Sequence, residues 1–327
     1  VVSLSRWIVS ITLASFQGVS GDAPLRLVGT IELPAIQGRI DHLAVDLAHA
    51  RLFVAALGNN TVEVIDLRDR RVVQSLQGFD EPQGVAVAPD LNMLVVANGG
   101  NGRVQLLNGA DLHSGKTVPL SGDADNVRYD PRQRRVYVGY GSGALAAIDP
   151  LSGSRIADIR LGGHPESLQL ERNGDRIFVN VPGAGHIAVV DRKDMHLVST
   201  WAMAGARANY PMALNEAAHR LFVGCRHPSK ALVFDTSSGR IVASFDITGD
   251  TDDLFFDEVR QRVYVSGGEG FLDVIQQQPG DHFMRVLHLS TASGARTSLY
   301  VAEQNRLYLA VPRRGSTAAQ IRIYEMQ

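Results

Sequence analysis

A short motif that returns seven times constrains this chain more than any other feature. Each copy is an apolar stretch, a polar turn and a second stretch of the form R-[LVI]-[FY]-V. Examples are HLAVDLAHARLFVAAL (42–57), NVRYDPRQRRVYVGY (126–140) and DLFFDEVRQRVYVSG (253–267). The turn residues Asp46, Ala88, Asp130, Glu171, Asn215, Asp257 and Ala302 follow one another at intervals of 42, 42, 41, 44, 42 and 45 residues. Such a period means that one supersecondary unit is repeated and that each copy buries its apolar face against the next.

Within a period the residues signal four strands rather than two. After RLFVAAL (51–57) come the turn GNN, the alternating TVEVIDL (61–67) and, beyond a polar turn, RVVQSLQG (71–78). Alternation with a period of two between Gly, Asn and Asp turns marks half-buried antiparallel strands. Four of them per repeat match one propeller blade. A solenoid would instead need polar capping units at its ends. Here the last unit stops at its third strand, IRIYEMQ (321–327), while an unpaired strand, LRLVGTIEL (25–33), precedes the first unit. Pairing the two removes the open edges. The expected fold is therefore all-β: a closed seven-bladed β-propeller of four-stranded antiparallel blades, one domain over 22–327, with the N-terminal strand completing the last blade.

Composition agrees and narrows the function classes. Hydrophobic residues make up 45% of the chain, enough for a core, and a formal net charge of −2 offers no global attraction for nucleic acid. A single cysteine, Cys225, excludes an internal disulfide, a thiolate cluster and a CxxCH haem attachment. The first 21 residues read as a signal peptide. Arg6 precedes an apolar run from Trp7 to Phe16, and Val19 and Gly21 take the −3 and −1 positions of a cleavage site before Asp22. The run is about half of the roughly 20 residues a membrane span needs. The expected location is periplasmic or secreted, with no membrane span after signal removal.

The stretch RLFVAALGNNTVEVIDLRDRRVVQSLQGFDEPQGVAVAPD (51–90) resembles the YVTN-type repeat of YncE-like periplasmic propellers. In that repeat a Tyr-Val-Thr-Asn-like strand is followed by an asparagine turn, a V-x-V-I-D strand and a P-x-G-V-A-V segment. The resemblance covers 25–327 and implies a seven-bladed propeller. For function it implies several classes: nucleic-acid binders, cell-surface proteins, and lyase-like or lactonase-like enzymes.

Departures from that plain repeat supply the candidate site. In a propeller the first strand of each blade runs beside the central axis, so the residues just before it line one channel mouth. Two residues before these strands stand Asp41, Gln83, Asp125, Glu166, Tyr210, Asp252 and Thr297; one residue before stand His42, Gly84, Asn126, Ser167, Pro211, Asp253 and Ser298. Only the second unit keeps the plain form, EPQG. Arg39, His164, Asn209, Glu269 and Arg296 fall beside this ring. The ligand-binding set is thus Arg39, Asp41, His42, Asp125, Asn126, His164, Glu166, Asn209, Tyr210, Asp252, Asp253, Glu269 and Arg296. Turns between second and third strands add Arg226, Lys230, Arg313 and Arg314 to the same face.

Like charges in a funnel repel one another and raise carboxylate pKa values unless something positive is present. Blade order suggests two separate neighbourhoods. Asp41, His42, Asp252, Asp253 and Arg296 suit acid–base chemistry on an anionic substrate, or Ca²⁺ with water. Asp125, Glu166 and His164 suit a divalent cation such as Ca²⁺. The competing reading is structural, with ring carboxylates accepting backbone N–H groups of the neighbouring blade. Asp66, Asp149, Asp191 and Asp235, ending the third strands, have only such a turn role.

Three functions follow. The leading one is an exported propeller that binds a small molecule or a protein partner at its charged mouth. The second is a lyase or lactone-type hydrolase with His42, Asp252 and Arg296 as catalytic groups, Arg296 holding a substrate carboxylate. The third, nucleic-acid binding, follows only from the family resemblance and is disfavoured by an acid-rich mouth. Neutralising Asp252 or truncating His42 is expected to leave a functional mouth folded.

Overall fold

The computed structural model describes residues 23–327, so the expected leader at 1–21 lies outside the described residues. Seven four-stranded antiparallel sheets follow one another along the chain. Six are built from consecutive strands, beginning with Leu43–Asp46, Arg51–Ala56, Thr61–Asp66 and Arg71–Leu76 in the first blade. The seventh is composite. Its strands Ser298–Val301, Arg306–Val311 and Ala319–Met326 are completed by Leu25–Leu33, which pairs antiparallel with Ala319–Met326 from Leu25↔Met326 to Leu33↔Ala319. The ring closes as the sequence predicts.

Burial is greatest in the second strands and falls toward the rim, which explains the sequence pattern. Second strands such as Arg51–Ala56 and Arg306–Val311 are buried at every residue after the first, because both sheet faces pack on neighbouring blades. The outermost strand Arg71–Leu76 buries only Leu76. The core is accordingly a set of apolar layers between blades. Ile31, Leu33, Ile65, Tyr308 and Ile321 form the layer that seals the seventh blade against the first.

In four blades the arginine that opens the second strand clasps the next blade. Arg51 pairs with Asp46 at 2.6 Å and donates to the Gly109 carbonyl of the second blade. Arg176 reaches the Thr236 carbonyl of the fifth blade, and Arg262 the Gln327 carbonyl of the seventh. Arg220 grips Asp281 of the sixth with both N–H groups, at 2.9 and 2.8 Å. The third-strand aspartates cap turns as expected: Asp66, Asp149, Asp191 and Asp235 each accept backbone N–H groups two or three residues ahead.

Candidate functional site at the channel mouth

The mouth is shaped by repeated bulges at the start of the innermost strands. In the third blade Ala124 faces Tyr140 and Val127 faces Val138, so Asp125 and Asn126 oppose a single residue. The same two-against-one step places Gln83 with Gly84 in the second blade and Tyr210 with Pro211 in the fifth. In the sixth, Asp252 is the extra residue between Thr251 and Asp253. A bulge bends its strand and re-aims the side chains it carries, here toward the axis. The second blade keeps its glycine for a steric reason: a Cβ on Gly84 would lie 1.9 Å from the Asp125 carbonyl oxygen.

These side chains meet across the axis. His42 Nε2 lies 3.9 Å from Asp41 Oδ1 and 3.8 Å from Asp125 Oδ1, and His42 Nδ1 lies 4.0 Å from Asp253 Oδ1. Arg39, Asp41, Asp125, Glu166, Tyr210 and Asp252 share the walls of one hole of about 20 Å³, room for a single water or ion. The expectation of two separate neighbourhoods is therefore corrected. With bulges pushing side chains inward, the first, third, fourth and sixth blades reach a common point.

The five carboxylates around this point differ in what balances them. Asp41, 2% exposed, forms an ion pair with Arg39 at 2.8 Å. Asp252 lies between two guanidinium groups: Arg296 Nε at 2.7 Å and the Arg226 Nη2 that donates to its Oδ1. Arg296 also holds both oxygens of Asp250, at 2.9 and 3.0 Å, and Arg226 stacks 4.0 Å from the centre of the Tyr210 ring. Asp253 accepts a backbone N–H from Ser298. Asp125 and Glu166 have no cationic side chain paired with them among the described residues. Asp125 is 6% exposed, and its buried Oδ1 has no hydrogen-bond partner.

Electrostatics follow from that layout. Burial, reinforced by Glu166 and Asp41, pushes Asp125 well above the usual carboxylate range. Burial together with the charges of Asp252, Asp41 and Asp123 raises Glu166 to about 8. Asp253 is raised to about 8, chiefly by burial, against the Ser298 N–H that favours its charged form. His42 is pushed down to about 4 by burial and by Arg128 and Arg39, against the pull of Asp252, so its ring is neutral at neutral pH.

His164 sits at the rim beside Asp125 and Glu166, and one ligand atom from each of the three lies within 4.8 Å of the others. Its Nδ1 is 2.6 Å from the Gly141 carbonyl oxygen. A carbonyl only accepts, so Nδ1 donates to it, and Nε2 is the nitrogen left to face a ligand.

Other candidates have structural work. Asn209, fully buried, donates to Asn180 Oδ1 and the His186 carbonyl. Glu269 accepts the Gly249 N–H at 3.0 Å and so holds a loop beside the mouth. Asn126, 2% exposed, lines the hole with an unpartnered Oδ1. Beyond His42 the channel opens into a cavity of about 460 Å³ walled mainly by innermost strands, with Arg128, Tyr129, Gln169 and Phe255 among its lining. Sequence reasoning missed Arg128. Its signal was present: in the same register the other blades carry Ala44, Ala86, Gln169, Ala213, Phe255 and Leu299, so Arg128 is the one charged residue of that layer.

No protein-family model matches this chain, and no curated protein is significantly similar to it. What stands is the architecture. The chain is a seven-bladed β-propeller.

Proposed function

We propose that this protein is an exported, YncE-like propeller that binds a small polar ligand at its charged mouth, with a divalent cation held by Asp125, His164 and Glu166. The observation that carries the reading is the Asp125 carboxylate: buried, with an orphaned Oδ1, and facing a hole the size of one ion. A buried carboxylate without a partner is destabilising, and a blade junction has no need of it. Oxygen ligands from two carboxylates with one imidazole suit a hard or borderline cation, and open positions would be filled by water or by the ligand.

The test is cation binding by purified protein. Ca²⁺, Mg²⁺ and Zn²⁺ are titrated while thermal unfolding is followed, and metal retained after dialysis is measured by atomic spectrometry. One of them should raise the melting temperature of the wild type but not of Asp125→Asn or Glu166→Gln. If no cation is retained and none shifts the melt, the cation reading falls.

A second reading, a lyase or lactone-type hydrolase, draws on one observation. The neutral His42 ring lies 4.0 Å from the Asp253 carboxyl, which the shift to about 8 keeps largely protonated at neutral pH, so a base and an acid stand side by side. Arg296, the expected anchor for a substrate carboxylate, is instead engaged by Asp250 and Asp252.

A further inference from the structure

Beside the mouth, where the sixth, seventh and first blades meet, lies a cavity of about 380 Å³ with Arg39, Arg296, Arg313 and Arg314 in its walls and Asp250 as the one carboxylate there. The four guanidinium groups fall into two classes. Arg39 is paired with Asp41, and Arg296 with Asp250 and Asp252. Arg313 and Arg314 form no ion pair among the described residues and donate only to main-chain carbonyls: Arg313 to Ile36 and Pro34, Arg314 to Ser293. Those carbonyl bonds anchor the two side chains while leaving N–H donors and both positive charges uncompensated.

The local backbone is fitted to this arrangement. Gly294 has a φ of +79°, and a Cβ there would fall 2.4 Å from Arg314 Nη2. The absence of a side chain gives the guanidinium its seat. Two uncompensated guanidinium groups in the walls of one cavity repel each other, and a bound anion reverses that sign. Because the side chains are already held, little rotamer entropy is lost when the anion arrives.

We propose that this cavity is an oxyanion subsite: Arg313 and Arg314 bind a carboxylate or phosphate group of a small ligand by paired, charge-assisted hydrogen bonds. The site is separate from the cation position at Asp125 and does not depend on it. A ligand spanning the two would present its anionic group to the arginines and its remaining polar groups to the mouth.

The probes are inorganic phosphate, succinate and a short single-stranded oligonucleotide, each titrated calorimetrically into wild type, Arg314→Gln, the Arg313→Gln/Arg314→Gln double variant and Asp125→Asn. Phosphate or succinate should bind the wild type with a dissociation constant of about 1 mM or tighter. The double variant should lose at least about tenfold, with Asp125→Asn unchanged. Preference between the two probes identifies the anion as phosphate or carboxylate. Arg314, exposed and with a single carbonyl bond, can be replaced with little risk to the fold, so Arg314→Gln keeps the test valid if the double variant melts early. Absence of binding by either small anion, or equal binding by wild type and Arg314→Gln, overturns the proposal. So does binding confined to the oligonucleotide, which would make the arginines a phosphate-backbone patch.

Discussion

The Asp253 carboxylate accepts the backbone N–H of Ser298 at 2.7 Å and so ties the innermost strand of the sixth blade to that of the seventh. One of the ring acids thus does what the structural reading of the mouth requires. The same group is buried and raised to about 8, which makes it a source of pH-dependent stability.

The sign follows from linkage. A carboxyl whose folded pKa lies above its unfolded value stabilises fully below the unfolded pKa and loses that contribution as pH rises through the folded one. For Asp253 the window runs from about 4, the ordinary carboxylate value, to about 8. Melting temperature should therefore fall from about pH 4 to about pH 8 and level off above that range. In Asp253→Asn, which still offers Ser298 an acceptor, the fall should be smaller. Parallel melts of both proteins across this range give the answer, and identical slopes would remove Asp253 as the cause.

Closure of the ring supplies the second expectation. Deleting 23–33 removes the strand that pairs with Ala319–Met326 and takes Ile31 and Leu33, each 1% exposed, out of the core. Those two side chains alone are worth about 3–6 kcal/mol. The truncated chain should melt far below the intact one or lose its cooperative transition, as followed by circular dichroism.

The third concerns a buried ion pair. Arg192 and Asp130, each 1% exposed, meet at 2.9 Å between the fourth and third blades, and Arg192 also donates to the Gly174 carbonyl. Removing the carboxylate leaves the buried guanidinium with only the half-exposed Asp175 at 4.0 Å, so Asp130→Ala should cost about 3–5 kcal/mol. Arg192→Met with Asp130→Leu, which removes both charges, should cost less. Chemical denaturation of the two proteins gives the comparison.

Cys225 lies near the end of the strand Arg220–His227, followed by Arg226 and His227. Burial dominates and pushes the thiol up to about 12, with Lys230 opposing only in part. At pH 8 the thiolate fraction is about one in ten thousand. Native protein should resist alkylation by iodoacetamide and react promptly once unfolded, as counted by intact mass.

The architecture was legible because a repeat near 42 residues, with period-two alternation inside it, leaves few ways to bury its apolar faces. Aligning the units also put Asp41, Asp125, Glu166 and Asp252 at equivalent positions, and these four share the walls of one hole. What the alignment could not show is how far each side chain reaches. The bulges that turn Asp125 and Asp252 inward are local backbone events that a repeat pattern does not encode. Pairing was hidden for the same reason. Arg226 lies near the end of the second strand of the fifth blade, and only the folded ring brings it to Asp252 of the sixth.

That pairing reverses one sequence expectation and yields the last prediction. From charge alone, neutralising any ring acid relieves repulsion and should be nearly harmless. In the structure Asp252 is shared by Arg226 and Arg296, so Asp252→Asn leaves two half-buried guanidinium groups short of a carboxylate and should cost about 1–3 kcal/mol. Asp125 has no cationic side chain to lose and an oxygen with no partner, so Asp125→Asn should melt at or above the wild-type temperature in cation-free buffer. The same substitution should abolish any rise that a divalent cation gives the wild type. Thermal melts of the two variants with and without cation therefore separate the acids that hold the ring from the acid left over for a ligand. Equal losses in both would place Asp125 among the former.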